Sequence, residues 1–470
     1  MAYLKGLGLS NFRGFKDEQI EFAPITILTG PNNSGKSSLI KALLLLRDNI
    51  NRGSLPPTYI QTASDSSGTN EVFAPSVFHF DGEIHGLGNA MSAKSWGSEN
   101  EEMSFIIPYV VHQETLFYKL TSYIEKDRAI ATTTHKVLLL TSQQEILLKI
   151  TDHEVYFSPR LYNELVKSEK DKLFIPQEIQ ERISESFGVS LSDWFSTNGF
   201  DDSEVCKKLA KNVYQTLKLN DGKSGSIECR PVYEHLKALD YWATSRNEQR
   251  RSYPQRDNSD FTLMLREFNN RRSSKESEKL FDGILDIFGI KEELRLSYRP
   301  EEGVYFPSFD GKSLPNFGFG YTQILALILK IALHGSNNHF YDNFGGQNLN
   351  LDYSMLMLEE PETNLHPNWQ TKLADLFQIA VHEYKTQFLI ETHSEYLIWR
   401  LQYLVLKGEL KPEDVVIYYF KGANSDENEP LVKKINIRAN GRLSGGFGKG
   451  FIDETGRLMA SLLTGEYTDN

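Results

Sequence analysis

Short apolar, β-branched runs alternate along this chain with stretches whose leucines and isoleucines recur at helical spacing, and the alternation predicts an α/β fold. Ile25-Thr26-Ile27-Leu28-Thr29 reads as a short buried strand. From Ser37 to Arg47, Leu39, Ile40, Leu43, Leu44 and Leu46 have the spacing of a helix. Ahead of both, residues 3–9 and 17–22 read as two short strands joined through Asn11-Phe12-Arg13-Gly14-Phe15. Residues 51–75, rich in Gly, Ser, Pro, Thr and Asn, predict a mobile loop. Val77 to Phe80 followed by Asp81-Gly82 reads as the start of a hairpin. From about Ser104 to Phe157, runs such as Phe105-Ile106-Ile107 and Val137-Leu138-Leu139-Leu140 show no long helix pattern and predict an antiparallel sheet.

From about residue 159 to 290 the texture turns helical, as in Pro176 to Phe187 and Glu204 to Leu217. A hairpin-like segment, Leu294 to Phe309, precedes a helix from Ile324 to Leu333. Met355-Leu356-Met357-Leu358 is then an apolar strand, Trp369 to Val381 a helix, and Gln387 to Ile390 a further buried strand. Val415 to Phe420 and Lys433 to Ile437 read as the last strands. The α/β alternation is unfinished when the helical stretch begins, which marks that stretch as an insertion.

Chemistry enters at the turn after the first buried strand. Gly30-Pro31-Asn32-Asn33-Ser34-Gly35-Lys36-Ser37 fits the spacing of a phosphate-binding loop and sits between a strand and a helix N-terminus. Free backbone N–H groups and the helix dipole favour an anionic phosphate there. Gly30 and Gly35 permit the tight wrap, Lys36 would reach the β- and γ-phosphates of ATP, and the Ser37 hydroxyl would ligate Mg²⁺. Ser38 completes the candidate loop residues. The strand Met355–Leu358 ends in Glu359-Glu360-Pro361-Glu362; one carboxylate would order the metal shell and the other polarise the attacking water. His393, in Glu391-Thr392-His393-Ser394, stands at the C-terminal end of the next strand, where open α/β sheets place ligand contacts. Gly318-Phe319-Gly320-Tyr321-Thr322-Gln323, opening a helix, is a second possible anion cradle.

At 470 residues the chain is too long for one compact core. Its net charge of −12 argues against a surface coated for nucleic acid, although a local basic stripe is compatible with it. Arginines cluster at Arg246, Arg250, Arg251 and Arg256 and again at Arg266, Arg271 and Arg272; a solvated face and a phosphate-backbone or partner surface are both open readings. Arg13 likewise reads either as a solvated turn residue or as a neighbour of the nucleotide. The two cysteines, Cys206 and Cys229, lie in no metal-type spacing, which fits a reducing cytoplasm. No signal-peptide core is seen at Met1-Ala2-Tyr3-Leu4-Lys5, and the Ile324–Leu333 helix, interrupted by Lys330, is too short to cross a bilayer, so a cytoplasmic protein without membrane contact is expected.

The order of these motifs resembles an ABC-type ATPase head, and specifically the RecF/SMC-like and overcoming-lysogenization-defect-like ATPases. It is most similar to bacterial AAA family ATPases that end in a short domain of unknown function. The resemblance runs over Leu4–Leu46, Phe78–Gly88, Tyr253–Arg256, Phe317–Leu329, Met355–Pro367, Leu389–Leu397 and Asp414–Glu454. It implies a P-loop head of mixed sheet plus antiparallel β subdomain, divided as 1–158 and 291–410, with a helical insertion at 159–290 and a small α/β tail at 411–470.

By the same resemblance, Glu359 takes the Walker B place usually held by Asp, Glu360 is the catalytic glutamate and His393 the switch histidine. Gly318 to Gln323, with Gly318, Gly320 and Thr322 as the contact residues, stands where the ABC signature lies and would touch the γ-phosphate of the opposite subunit's ATP. The signature departs from the LSGGQ form, so its serine role falls on Thr322, and Gln61 lies only in the general region of the Q-loop. The tail offers only Asp453-Glu454, so the Toprim nuclease of some relatives is expected to be absent. The resemblance implies an ATP-dependent homodimer or higher oligomer that controls a separate effector, a nuclease or toxin, in anti-phage defence. A RecF-like DNA-repair ATPase that binds nucleic acid is the alternative, and an ATP-gated nuclease a weaker one.

Overall fold

The computed structural model describes residues 3–52, 58–64, 68–74, 77–95, 98–111, 114–124, 131–151, 155–158, 230–243, 249–271, 283–336, 339–341, 348–350, 353–422, 430–447 and 461–462. Two compact units emerge: one contains Phe22–Ser37 and Leu239–Asn470, the other Ala2–Glu21 and Ser38–Ala238. The helices expected at Pro176–Phe187 and Glu204–Leu217 lie outside the described residues.

The first unit is built on a six-stranded sheet in the order Asp240–Trp242, Ser354–Glu359, Thr386–Glu391, Ile25–Thr29, Val415–Phe420, Val432–Asn436. Neighbours run parallel except the last pair, an antiparallel hairpin. The three central strands Ser354–Glu359, Thr386–Glu391 and Ile25–Thr29 are buried along almost their whole length, with apolar runs such as Met355–Leu358 and Phe388–Ile390 at their middles, the pattern expected of parallel strands. Ile25, Ile27, Phe388, Leu389, Ile390 and Ile417 are wholly buried, each contributing roughly 1.5–3 kcal/mol relative to exposure. Helices Phe319–Ser336, Pro367–Tyr384 and Glu395–Lys407 belong to the same unit. A smaller antiparallel sheet there contains the hairpin Leu294–Arg299 and Val304–Phe309, as its alternation predicts.

Two differences from the sequence expectation matter for the site. The strand Asp240–Trp242 lies within the segment read as an insertion, yet it forms the edge of the six-stranded sheet. Its Asp240 explains the charge that interrupts the apolar helix: Lys330 Nζ donates to Asp240 at 2.7 Å, and His334 joins Asp240 to Ser354 on the neighbouring strand, its Nε2 lying 2.8 Å from the Ser354 hydroxyl. Burial alone would raise the Asp240 pKa, but the bonds from His334 and Lys330 outweigh it and hold the carboxyl well below the ordinary range. Second, the strands read as belonging to a separate tail complete the same sheet, and Val415–Phe420 pairs directly with Ile25–Thr29.

The second unit carries an eight-stranded antiparallel sheet that includes Gly6–Phe12, Phe15–Glu21, Glu102–Val111, Glu114–Tyr123, Ala131–Thr141 and Ile146–Thr151. Arg13, at φ +48°, turns the chain between the first two of these strands. The expected mobile loop at 51–75 contains instead an antiparallel hairpin, Thr58–Ser64 with Gly68–Ala74, whose Tyr59, Ile60, Val72 and Phe73 are good strand formers. Gln61 lies in its first strand. No hairpin closes across Asp81-Gly82; Val77–His79 pairs with Ala131–Thr133, and Gly82 packs where a Cβ would collide with Asp48 and His85. Among the described residues, no helix is long and apolar enough to cross a membrane.

Because a central strand comes from Val415–Phe420, a chain cut after Gly408 should lose the fold of its first unit. Thermal unfolding of that truncation is expected to show no cooperative transition for the unit; a native-like transition in the truncated chain would contradict this topology.

Candidate functional site

The candidate phosphate loop leaves its buried strand at Gly30, whose φ of +137° is available only to glycine at low cost. A Cβ at Gly30 would also collide with the Phe420 carbonyl oxygen on the neighbouring strand. Gly35, at φ +104°, makes the second bend, and Asn33, at φ +62°, adopts the left-handed conformation that asparagine tolerates. Pro31, Asn32 and Asn33 are exposed, while Ser34 is buried and its hydroxyl has no hydrogen-bond partner. The helix starts at Lys36 and continues to Asn51, past the expected end at Arg47.

Lys36 is buried, and its ammonium donates to the carbonyl oxygens of Gly30 at 3.0 Å and Pro31 at 2.8 Å. Glu391 lies 3.6 Å from it. Burial pulls the Lys36 pKa down, and Glu391 and Glu360 act against that pull. Ser37 Oγ donates to the other Glu391 oxygen at 2.9 Å. Ser38, half-buried, follows on the helix.

Parallel register sets the carboxylates beside this loop. Glu359 pairs with Glu391, and Glu391 with Leu28, so the ends of three adjacent strands coincide. Glu359 accepts a hydrogen bond from Tyr241 on the edge strand; burial and the Glu359 charge push the Tyr241 hydroxyl pKa up. Glu360 donates its N–H to the Glu391 carbonyl at 2.7 Å and then turns at φ +44°, a left-handed conformation that costs a non-glycine residue about 1–3 kcal/mol. That turn leaves the Glu360 side chain about half exposed, with Oε1 4.0 Å from His393 Nε2.

His393 is held through its backbone. Its N–H donates to Glu362 Oε1 at 2.7 Å, and Ser394, which caps the following helix, donates to Gln370 at 2.7 Å. The carboxylate loop and the histidine loop are thus cross-linked. Burial, and then the Lys36 charge, lower the His393 pKa against Glu360 and Glu391, so the imidazole is neutral at pH 7. Its Nε2 is buried without a hydrogen-bond partner. An orphaned serine hydroxyl in a glycine-wrapped loop, an unpartnered imidazole nitrogen and adjacent carboxylates fit ATP with Mg²⁺. The loop and Lys36 would hold the phosphates, with Ser37 and Glu359 on the metal. Among the described residues no group of three His, Cys, Asp or Glu could hold a metal by itself.

The second cradle differs from its expected form. The helix begins at Phe319 rather than Ile324, so Gly320, Tyr321 and Thr322 lie in its first turn. Thr322 is buried, and its hydroxyl accepts from Gln249 Nε2 at 3.0 Å, so it is not presented at the surface; Gly318 and Phe319 are. Gly320 is pressed against Trp369, 3.1 Å from where a Cβ would sit. Phe309, Phe317, Tyr321 and Trp369 seat the entry in edge-on and tilted aromatic contacts.

The arginine clusters are partly consumed locally. Arg250 pairs with Asp257 at 2.8 Å, and Arg266 donates to the Asp257 carbonyl at 3.2 Å, whereas Arg251 and Arg256 are exposed. Arg246 and Arg272 lie outside the described residues.

Sequence reasoning passed over Glu391, Glu362 and Tyr241. Glu391 carried a usable signal, since it ends an apolar strand just as Glu359 does. Glu362 is buried, which raises its pKa despite bonds from Thr392 and the His393 N–H. The unfolded carboxyl ionises at about pH 4.3. As pH rises from there through the raised folded value, the wild type acquires a disfavoured buried charge that a glutamine lacks. Glu362→Gln should therefore gain thermal stability over wild type at pH 7.5, with the gain fading towards pH 4. Melting curves with a pH-independent difference would contradict this.

Among curated proteins there is no significant sequence match. The Smc head domain of Thermotoga maritima is 11% identical, with a TM-score of 0.38, over 93% of this chain and 99% of that one. The Smc head domain of Pyrococcus furiosus, solved with an extended coiled coil and bound to the C-terminal domain of ScpA, is 13% identical with a TM-score of 0.38, over 98% and 100% of the two chains. The Smc head domain of Pyrococcus yayanosii is 12% identical with a TM-score of 0.38, over 93% and 98%. Residues 410–462 match a family described as a protein of unknown function, DUF3696. Residues 3–398 match the family described as AAA ATPase domain, and with most of its length inside that match the chain belongs to the AAA ATPase domain family.

Proposed function

We propose that the protein is an ATP-driven switch in which two copies close around ATP and hydrolysis reopens them. The observation that carries this reading is the meeting of Lys36, Ser37, Glu391, Glu360 and His393 at coincident strand ends. When bound, Mg²⁺ would neutralise phosphate charge. The chain's own residues do the rest. Lys36 exchanges two loop carbonyls for phosphate oxygens, and the Ser34 hydroxyl gains the partner it lacks. Glu360, turned out from the strand end, accepts the proton of the attacking water. Neutral His393 donates from Nε2 to the γ-phosphate, an orientation fixed by Glu362 through the backbone.

The exposed Gly318–Phe319 helix entry is the group suited to complete the pocket of a second copy, because its open N–H groups favour an anion. Thr322 then supports the entry from inside through Gln249 instead of touching phosphate. Control of a separate nuclease or toxin in anti-phage defence draws on the resemblance to RecF/SMC-like and overcoming-lysogenization-defect-like ATPases.

Glu360→Gln should bind ATP as wild type does, hydrolyse it at least about 100-fold more slowly, and sediment as a dimer with ATP and Mg²⁺. Wild-type hydrolysis by this variant would remove Glu360 from the role. Gly318→Glu adds a carboxylate at a position where, beyond the adjoining chain, nothing lies within 4 Å of the new Cβ. It should spare ATP binding but abolish pairing and hydrolysis. Mixing it with Lys36→Ala should restore part of the ATPase activity, since one pocket then has both halves intact. Normal hydrolysis by Gly318→Glu as a dilute monomer would overturn the shared pocket.

A further inference from the structure

We propose that Glu391 belongs to the metal shell of the ATP site and makes nucleotide binding depend on a divalent cation. The inference rests on the ATPase reading above and assigns a residue that neither the loop nor the Glu359-Glu360 pair accounts for. Glu391 is buried, and both of its oxygens are committed to the phosphate loop, one 2.9 Å from Ser37 Oγ and one 3.6 Å from Lys36 Nζ. Ser37 is the hydroxyl expected on Mg²⁺, so a carboxylate already bonded to it stands beside the metal position. Glu359 lies opposite on the next strand in register.

The charges around the loop favour a cation there. In an ordinary phosphate loop the lysine leaves the pocket cationic, ready for phosphate. Here Lys36 and Glu391 cancel, and Glu359 and Glu360 add further negative charge nearby. A triphosphate entering without a cation would meet a buried carboxylate across a low-dielectric gap, which screening by salt cannot relieve. Glu391, with Ser37 beside it, would hold a divalent cation, which would supply the positive charge that offsets that repulsion. Mg²⁺ suits such a place, because it is held through one or two carboxylates together with substrate phosphates. In its absence, Glu391 keeps Ser37 and Lys36 in position.

Calorimetric titration of the full chain with ATP, in Mg²⁺ and separately in EDTA, tests this. Wild type should bind metal-free ATP at least about 100-fold more weakly than Mg²⁺–ATP, because the unscreened carboxylate opposes it. Glu391→Gln, which keeps the shape and an acceptor for Ser37, should lose about 10-fold in Mg²⁺–ATP affinity while gaining affinity for metal-free ATP. Mn²⁺ titration in the presence of ADP, followed by electron paramagnetic resonance, should show weaker Mn²⁺ binding in Glu391→Gln and its recovery in Glu391→Asp. If Glu391→Gln shifts both ATP affinities by one common factor, or neither, Glu391 is only a structural acceptor and the inference fails. If the wild type binds no ATP in either condition, the ATPase reading fails as well.

Discussion

The ion pair and hydrogen bond that Glu391 makes with Lys36 and Ser37 tie the first turn of a helix to the end of the neighbouring strand, and the rest of the site is arranged about that knot. Two unit charges about 4 Å apart attract by roughly 4 kcal/mol at an effective dielectric constant near 20, and at Lys36 that attraction works against the larger pull of desolvation. The parallel ladder makes the knot possible. It brings Leu28, Glu391 and Glu359 to one level, so that the loop, two carboxylates and a histidine-bearing turn share one end of the strands. Glu362 then fixes the histidine turn through a backbone N–H, which leaves the imidazole nitrogen unspent.

The segment of unknown family function is part of this construction. Val415–Phe420 lies against the loop strand, the Phe420 carbonyl closes the space that Gly30 must leave empty, and Gly422 sits beside Pro31, 3.3 Å from where its own Cβ would be. A family boundary at residue 398 therefore cuts through one folded sheet. Gly30 and Pro31, which this segment touches, also supply the two carbonyls that hold Lys36.

Much of this was legible from pattern. The strand–loop–helix around Gly30–Ser37, the Met355–Leu358 strand and the antiparallel region after Ser104 are local signals, set by side-chain period and turn residues. Partnership was not legible, because it depends on register between segments far apart in the chain. Glu391 reads as a strand end until Leu28 and Glu359 are seen beside it. Tyr241 lay in a segment read as inserted, and Lys330 looked like a flaw in an apolar helix until Asp240 was opposite. Thr322 illustrates the converse: its place in a motif suggested a contact residue, whereas the early start of its helix turns the hydroxyl inward to Gln249.

The central claim is that Lys36 is a phosphate cation held in reserve by its own loop carbonyls. A structure of the Glu360→Gln chain with ATP and Mg²⁺ tests it most directly. The account predicts Lys36 Nζ released from the Gly30 and Pro31 carbonyls and bonded to β- and γ-phosphate oxygens, with His393 Nε2 facing the γ-phosphate. Lys36 still bonded to both carbonyls, with ATP bound elsewhere or not at all, would contradict it.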